Sequence, residues 1–304
     1  MKSRIAGALV LAVAVLSFGS CVPAAKDGKK RIVVTHSVLA SVVRDLVGDA
    51  FAVVALIPDG MDPHEWEPSA RDMETMDGAA LIVENGLALE EGMKGALSQA
   101  RKSGVRTFTA SDHVVARRVG KGEGLPSGDA DQAAGARDPH LWTDPVAMKA
   151  VVDALAAEIH ADFGLDLSVR RDSLDSRLSA LDAEVSGLVA KLPLERRVLV
   201  TGHESLGYFA ARYGFKLVGA VLPSLSSQAE SSASELAALK ALILANHVPA
   251  IFTEVGTSPK VALSLAGDAK VKAVPLAMHS LPQGGGYEDY LRRLATTITG
   301  ALEP

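Results

Sequence analysis

The sequence spells Asp-Pro-His-X-Trp twice, at 62–66 and at 138–142, in a chain of 304 residues with eight His and two Trp. Both Trp residues, Trp66 and Trp142, are spent on this pattern. Imidazole is the side chain that ligates transition metals while neutral near pH 7, so a duplicated, sterically fixed His is a candidate ligand pair. Proline before each His fixes the backbone and removes a donor, and it pushes Asp62 and Asp138 into extended conformations. An Asp at that position can order the turn through backbone hydrogen bonds and can orient a metal-bound imidazole. Trp66 and Trp142 supply bulk to exclude water.

Positioning such groups requires a scaffold, and two halves of the chain repeat one grammar. In the first, 31–37, 51–58, 79–85 and 105–111 are short apolar runs separated by helical stretches at 38–48 and 89–104. In the second, 197–203, 216–223, 249–255 and 271–279 repeat the pattern, with helical stretches at 204–214, 232–247 and 258–269. Alternation of buried strands with helices predicts an α/β fold of two lobes, each with a roughly four-stranded parallel sheet flanked by helices. Residues 166–192 place Leu174, Leu178, Leu181, Val185, Leu188 and Leu192 on one helical stripe, which predicts a single long helix joining the lobes. The expected division is an N-terminal lobe over 31–165, a connecting helix over 166–192 and a C-terminal lobe over 193–304. Residues 114–137 lack apolar periodicity after Val119 and predict a mobile loop.

His64, His140, His203 and His279 each stand just past a predicted strand or in a proline-pinned loop. Ligands of parallel α/β sheets bind beyond the carboxyl ends of the strands. Four imidazoles converging there, two from each half, would close a tetrahedral site for a transition metal. Glu254 ends a predicted strand facing the same crevice and, with Asp62 and Asp138, is expected to position a ligand rather than bind the ion. His36 reads as a helix cap, and His113, His160 and His247 as solvated positions. A zinc hydrolase would need an open coordination position and a general base. Neither His-Glu word continues to H-E-x-x-H, and no Gly-x-Ser-x-Gly is present, so a binding protein rather than an enzyme is expected.

Lys2 and Arg4 precede fourteen apolar residues, 5–18, a length that suits a signal-peptide core better than a membrane span. Residues 1–20 are therefore read as a signal, Cys21 (the only cysteine) as a lipidation site, and 21–30 as a tether. The expected location is extracytoplasmic, periplasmic or membrane-anchored. Hydrophobic residues make up 48% of the chain, enough to bury real cores, and the net charge of −5 without a basic cluster excludes nucleic-acid binding.

Five words in order, GMDPHEWEPSARD (60–72), ENGLALEE (84–91), DPHLWTDP (138–145), GHESLGYFAARYGF (202–215) and IFTEVGTSPK (251–260), resemble the metal-binding solute-receptor family of ATP-binding-cassette importers, the zinc and manganese receptors. The resemblance implies two α/β lobes joined by one long helix, a metal buried between them, and an inner-membrane permease as partner. Its ligand positions match His64, His140 and His203. Its fourth ligand is usually an Asp at the position occupied here by His279. Either His279 replaces that carboxylate or Glu288 or Asp289 nearby does so, and substitution at the matching position is the simpler reading. An all-imidazole site favours Zn2+ over Mn2+. The zinc receptors often carry a His-rich loop, and 114–137 contains none. The expected molecule is a monomeric, high-affinity zinc receptor, with a manganese receptor or a metal-containing surface adhesin as the alternatives.

Overall fold

The computed structural model describes residues 28–121, 123 and 133–303; the signal segment, Cys21 and most of the tether lie outside them. Eight strands form two sheets. The first contains β1 (Arg31–His36), β2 (Ala52–Ile57), β3 (Leu81–Glu84) and β4 (Thr107–Thr109), and the second β5 (Val198–Thr201), β6 (Lys216–Ala220), β7 (Ala250–Glu254) and β8 (Lys272–Leu276). Every pairing is parallel, and the orders β2-β1-β3-β4 and β6-β5-β7-β8 are the same arrangement twice. The inner strands β3, β5 and β7 are buried along their whole length, as sheets covered on both faces require. Pro275 is tolerated because β8 is an edge strand with an unpaired side.

Nine α-helices among the described residues cover these sheets: α1 (Ser37–Val47), α2 (Ala70–Asp77), α3 (Lys94–Lys102), α4 (Pro145–Phe163), α5 (Ser168–Val189), α6 (Gly207–Tyr213), α7 (Ala233–Ala245), α8 (Lys260–Ala269) and α9 (Tyr287–Leu302). The long helix α5 lies within the predicted 166–192. It buries Leu174, Leu178, Leu181, Val185 and then Val189, while Leu188 is only half-buried. The alternating three-and-four stripe drifts around a helix of 3.6 residues per turn, so the buried line moves by one position in the last turn.

α5 is not the only element between the halves. It packs against α1, α4, α6 and α9, and α9, from the end of the chain, packs against α1 as well as β7 and β8. One apolar cluster runs through Val34, Leu39, Trp142, Leu181, Phe252 and Leu294, so both sheets share it. Each half keeps a second cluster on its outer face, around Val33, Ile82 and Met93 in one and Val200, Ile251 and Ile243 in the other. The halves also meet at Gly256, whose φ of +104° and close approach to the Gly60 carbonyl leave no room for a Cβ. Beside that contact the Gly60 N–H donates to the His279 carbonyl at 3.0 Å. No described helix is long and apolar enough to cross a membrane.

Candidate metal centre between the sheets

Both Asp-Pro-His turns close in the same way. The backbone N–H of His64 donates to Asp62 Oδ1 at 2.9 Å, and that of His140 to Asp138 Oδ1 at 2.9 Å. His64 follows β2, and His140 precedes a 3-10 turn capped by Asp144, which then starts α4 with Pro145 in its first turn. His203 follows β5, and Glu254 ends β7. These two strands are neighbours where the strand order reverses, the place at which a doubly wound sheet opens a crevice.

The three turns bring His64, His140 and His203 together, all fully buried and with ligand atoms within 4.8 Å of one another. His140 is the hub: its Nε2 lies 3.4 Å from His64 Nε2 and 3.0 Å from His203 Nε2. Two nitrogens bound to one tetrahedral zinc at about 2.0–2.1 Å stand roughly 3.3–3.4 Å apart, so the spacing suits a shared ion. Protonation at the far nitrogen makes the same point. His140 Nδ1 donates to Asp138 Oδ1 at 2.9 Å, and His203 Nδ1 faces Glu254 Oε1 at 2.9 Å. Carboxylates only accept, so Nδ1 carries the proton and the Nε2 lone pairs point at one another. That arrangement could hold a cation at the centre.

The outer partners are themselves held. Arg117 reaches Asp138 Oδ2 at 3.2 Å, and its backbone N–H donates to the Tyr208 hydroxyl at 2.9 Å, joining the two halves. Gly207 is required beside them because a Cβ there would meet Asp138 and Arg117. The described flanks of the 114–137 segment pair antiparallel at Arg118 and Arg137 and so fix the approach to Asp138; its middle lies outside the described residues. Ser205 donates to Glu254 Oε1 at 2.7 Å. Asn85 Nδ2 donates to the Pro139 carbonyl at 2.8 Å, and buried Glu90 accepts from Thr35 and from the Asn85 and Gly86 backbone. Burial raises the Glu90 carboxyl to about 7.

Burial, reinforced by the neighbouring imidazoles, holds His64 well below the ordinary histidine value, and burial also lowers His140 against the pull of Asp138. For His203 burial pulls the same way, but the Glu254 carboxylate outweighs it and the net direction is upward. Glu254 would be raised by burial, yet His203 and His279 hold it well below the carboxylate range.

His279 is buried but stands outside the three-imidazole group, with Nε2 3.6 Å from Glu254 Oε2. Neither atom has a hydrogen-bond partner. Glu288 and Asp289 are committed elsewhere. Glu288 pairs with Arg177 Nε at 2.9 Å, and Asp289 accepts the Gly286 N–H at 3.1 Å. Asp62 orders its turn, but no bond from it to the His64 ring is seen, and its Oδ2 is buried without a partner. Trp142 is fully buried against His36, His140 and His279, with centroids 4.9, 5.4 and 5.7 Å away. Trp66 instead packs half-buried on the outer cluster of the first half. His36 caps α1 by accepting the Leu39 N–H, and His113, His160 and His247 are exposed. Glu91, which the residue pattern did not single out, has Oε2 3.8 Å from His64 Nδ1.

A family model described as zinc-uptake complex component A, periplasmic, matches residues 32–301. The zinc-binding protein TroA of Treponema pallidum is 33% identical over 256 residues, covering 81% of this chain and 78% of that protein. The manganese-binding lipoprotein MntA of Bacillus subtilis is 28% identical, covering 91% of each. The solved structure of TroA, a periplasmic zinc-binding protein, superposes with a TM-score of 0.78 at 27% identity, over 91% of this chain and 100% of that one. With its two like sheets and the imidazole cluster between them, the chain belongs to the family of periplasmic zinc-uptake components described by that model.

Proposed function

We propose that this chain is an extracytoplasmic zinc receptor that hands its ion to the permease of an ATP-binding-cassette importer. Three convergent Nε2 lone pairs, two of them backed by buried carboxylates, carry the reading. His64, His140 and His203 bind zinc as cargo, and His279 completes the tetrahedron. Its ring is buried beside the cluster, its Nε2 lacks a partner, and the nearby acids Glu288 and Asp289 are engaged with other groups. Glu254 and Asp138 orient imidazoles; Asp62 shapes the His64 turn. Neutral nitrogen donors favour zinc over manganese. Two lobes, 31–165 and 193–304, flank the 166–192 helix and hold the ion between them. The molecule acts as a monomer, and Cys21 carries a lipid that keeps it at the membrane. Family membership implies a receptor rather than an enzyme.

Metal titration of the stripped mature chain tests this. One zinc per chain should bind tightly, manganese should compete poorly, and His279→Ala should weaken zinc by about 10–100-fold, a smaller loss than removal of a central imidazole. Strong manganese competition with a silent His279→Ala would mean that a carboxylate such as Glu254, whose Oε2 lies 3.6 Å from His279 Nε2, completes a site for a harder ion.

The pH response follows from the ring environments. His64 and His140 are held below the ordinary value and are neutral near pH 7, so they release no proton on binding. His203 is raised, so it is the first of the three rings to take up a proton in competition with the metal as pH falls. As pH falls through the His203 pKa, zinc affinity should drop about tenfold per unit, a slope of one proton. A slope near three just below pH 6.5 would show three ordinary imidazoles and contradict the assigned environments.

A further inference from the structure

The two carboxylates that back imidazoles leave one ring without support. His140 Nδ1 has Asp138 at 2.9 Å and His203 Nδ1 has Glu254 at 2.9 Å, but His64 Nδ1 is buried with no hydrogen-bond partner. Its own turn does not supply one, because Asp62 Oδ1 accepts the His64 backbone N–H. The carboxylate that approaches it among the described residues is Glu91 Oε2, at 3.8 Å. Glu91 stands in the 3-10 turn Glu91–Met93, before α3, and its side chain is 37% exposed. It lines a surface cavity of about 520 Å³ with Glu65, Glu67 and Gln228.

Glu91 is also held from the other half of the molecule. Ser226 Oγ donates to Glu91 Oε2 at 2.8 Å, and Gln228 Nε2 donates to the His64 carbonyl. The same loop reaches the second half of the centre, since Ser224 accepts the Glu204 N–H beside His203 at 2.9 Å.

We infer that Glu91 is the positioning carboxylate of His64, closing onto its Nδ1 when metal binds, a role that rests on the zinc-receptor reading. The closing distance is about 1 Å, the difference between 3.8 Å and a charge-assisted hydrogen bond of about 2.7–2.9 Å. Metal on Nε2 withdraws electron density from the ring and makes its Nδ1–H a stronger donor, so loading itself draws the carboxylate in. Because Glu91 also accepts from Ser226, the movement ties the loaded centre to a surface loop of the opposite half.

The test compares wild type, Glu91→Ala, Glu91→Gln and Ser226→Ala by zinc competition against a chelator and by the visible spectrum of the cobalt-substituted chain. Glu91→Ala should weaken zinc by about 10–100-fold, as loss of an outer partner of a metal-bound His does. Glu91→Gln, which keeps an acceptor oxygen, should recover part of that loss. The cobalt bands should shift in both Glu91 variants and stay put in Ser226→Ala. Glu91→Ala binding zinc like wild type would overturn the inference alone, as would equal losses in Glu91→Ala and Ser226→Ala with unmoved cobalt bands, the mark of a mere latch between halves. A wild type that binds no metal tightly would overturn the receptor reading first, before any variant is compared.

Discussion

Replacing His140 by alanine should cost this protein about two to three orders of magnitude in zinc affinity, the largest loss of any single substitution at the centre. Zinc bound by four protein ligands has an apparent binding free energy of about 10–16 kcal/mol, so one ligand accounts for roughly 3–4 kcal/mol, or about 10²–10³-fold. His140 should reach the upper end because it alone stands within 3.4 Å of both other central nitrogens. The fold should survive the change. Asp138 keeps Arg117 and the residue 140 backbone N–H as partners, so no buried carboxylate is stranded. Chelator competition, with the melting temperature of the metal-free chain as control, reads both halves of the claim. His113→Ala supplies the comparison, since that exposed ring stacks on Phe108 far from any ligand role. Wild-type affinity in His140→Ala would remove the central imidazole cluster as the binding site.

The scaffold was legible wherever burial imposes a local signature. All eight strands fall inside the apolar runs, most plainly β3, β5 and β7, whose burial along the whole length requires apolar residues on both faces. Helices α2 and α4 were not legible, for opposite reasons. α2 is short and buries only Met76, so it carries no stripe. α4 is rich in Ala and Val on most faces, which blurs its period, though Asp144 and Pro145 announce its start. α9 also went unread, although it buries Tyr290, Leu291, Leu294 and Ile298 along one side, and its packing on α1 and α5 is a property of the assembled halves. The repeated DPH word announced two equivalent turns, and the turns are equivalent down to the 2.9 Å bond in each. It did not announce that one Asp would also hold its imidazole while the other would not. That difference arises from where the rings point after folding. Glu91 was invisible for the same reason: its partners, His64 and Ser226, lie 27 residues before it and 135 after it.

Trp142→Ala should be among the most destabilising substitutions in the chain, and Trp66→Ala should not, although the two occupy the same place in the repeated word. Trp142 is the largest fully buried side chain. Its indole N–H donates to the Tyr290 hydroxyl at 3.1 Å and stands 3.3 Å from the Met278 carbonyl, which joins the His140 turn to α9 and to the residue before His279. Truncation removes the transfer free energy of the ring, leaves a cavity in the cluster the halves share, and strands a buried carbonyl; a Trp→Ala change of this kind costs about 3–5 kcal/mol. At about 2–4 °C per kcal/mol that is a fall of roughly 6–20 °C in melting temperature for the metal-free protein. Trp66 is half-buried on an outer cluster, and its loss should cost about 1–2 kcal/mol. Zinc should restore part of the Trp142→Ala deficit, because a ligand that binds only the folded state stabilises it by mass action. The restoration should fall short of wild type, since His140 and His279 both lean on the missing indole. Thermal melts of both variants with and without zinc decide the matter. Equal losses for the two Trp residues would show that the repeated word plays the same structural part in each half and that the centre is braced from both sides.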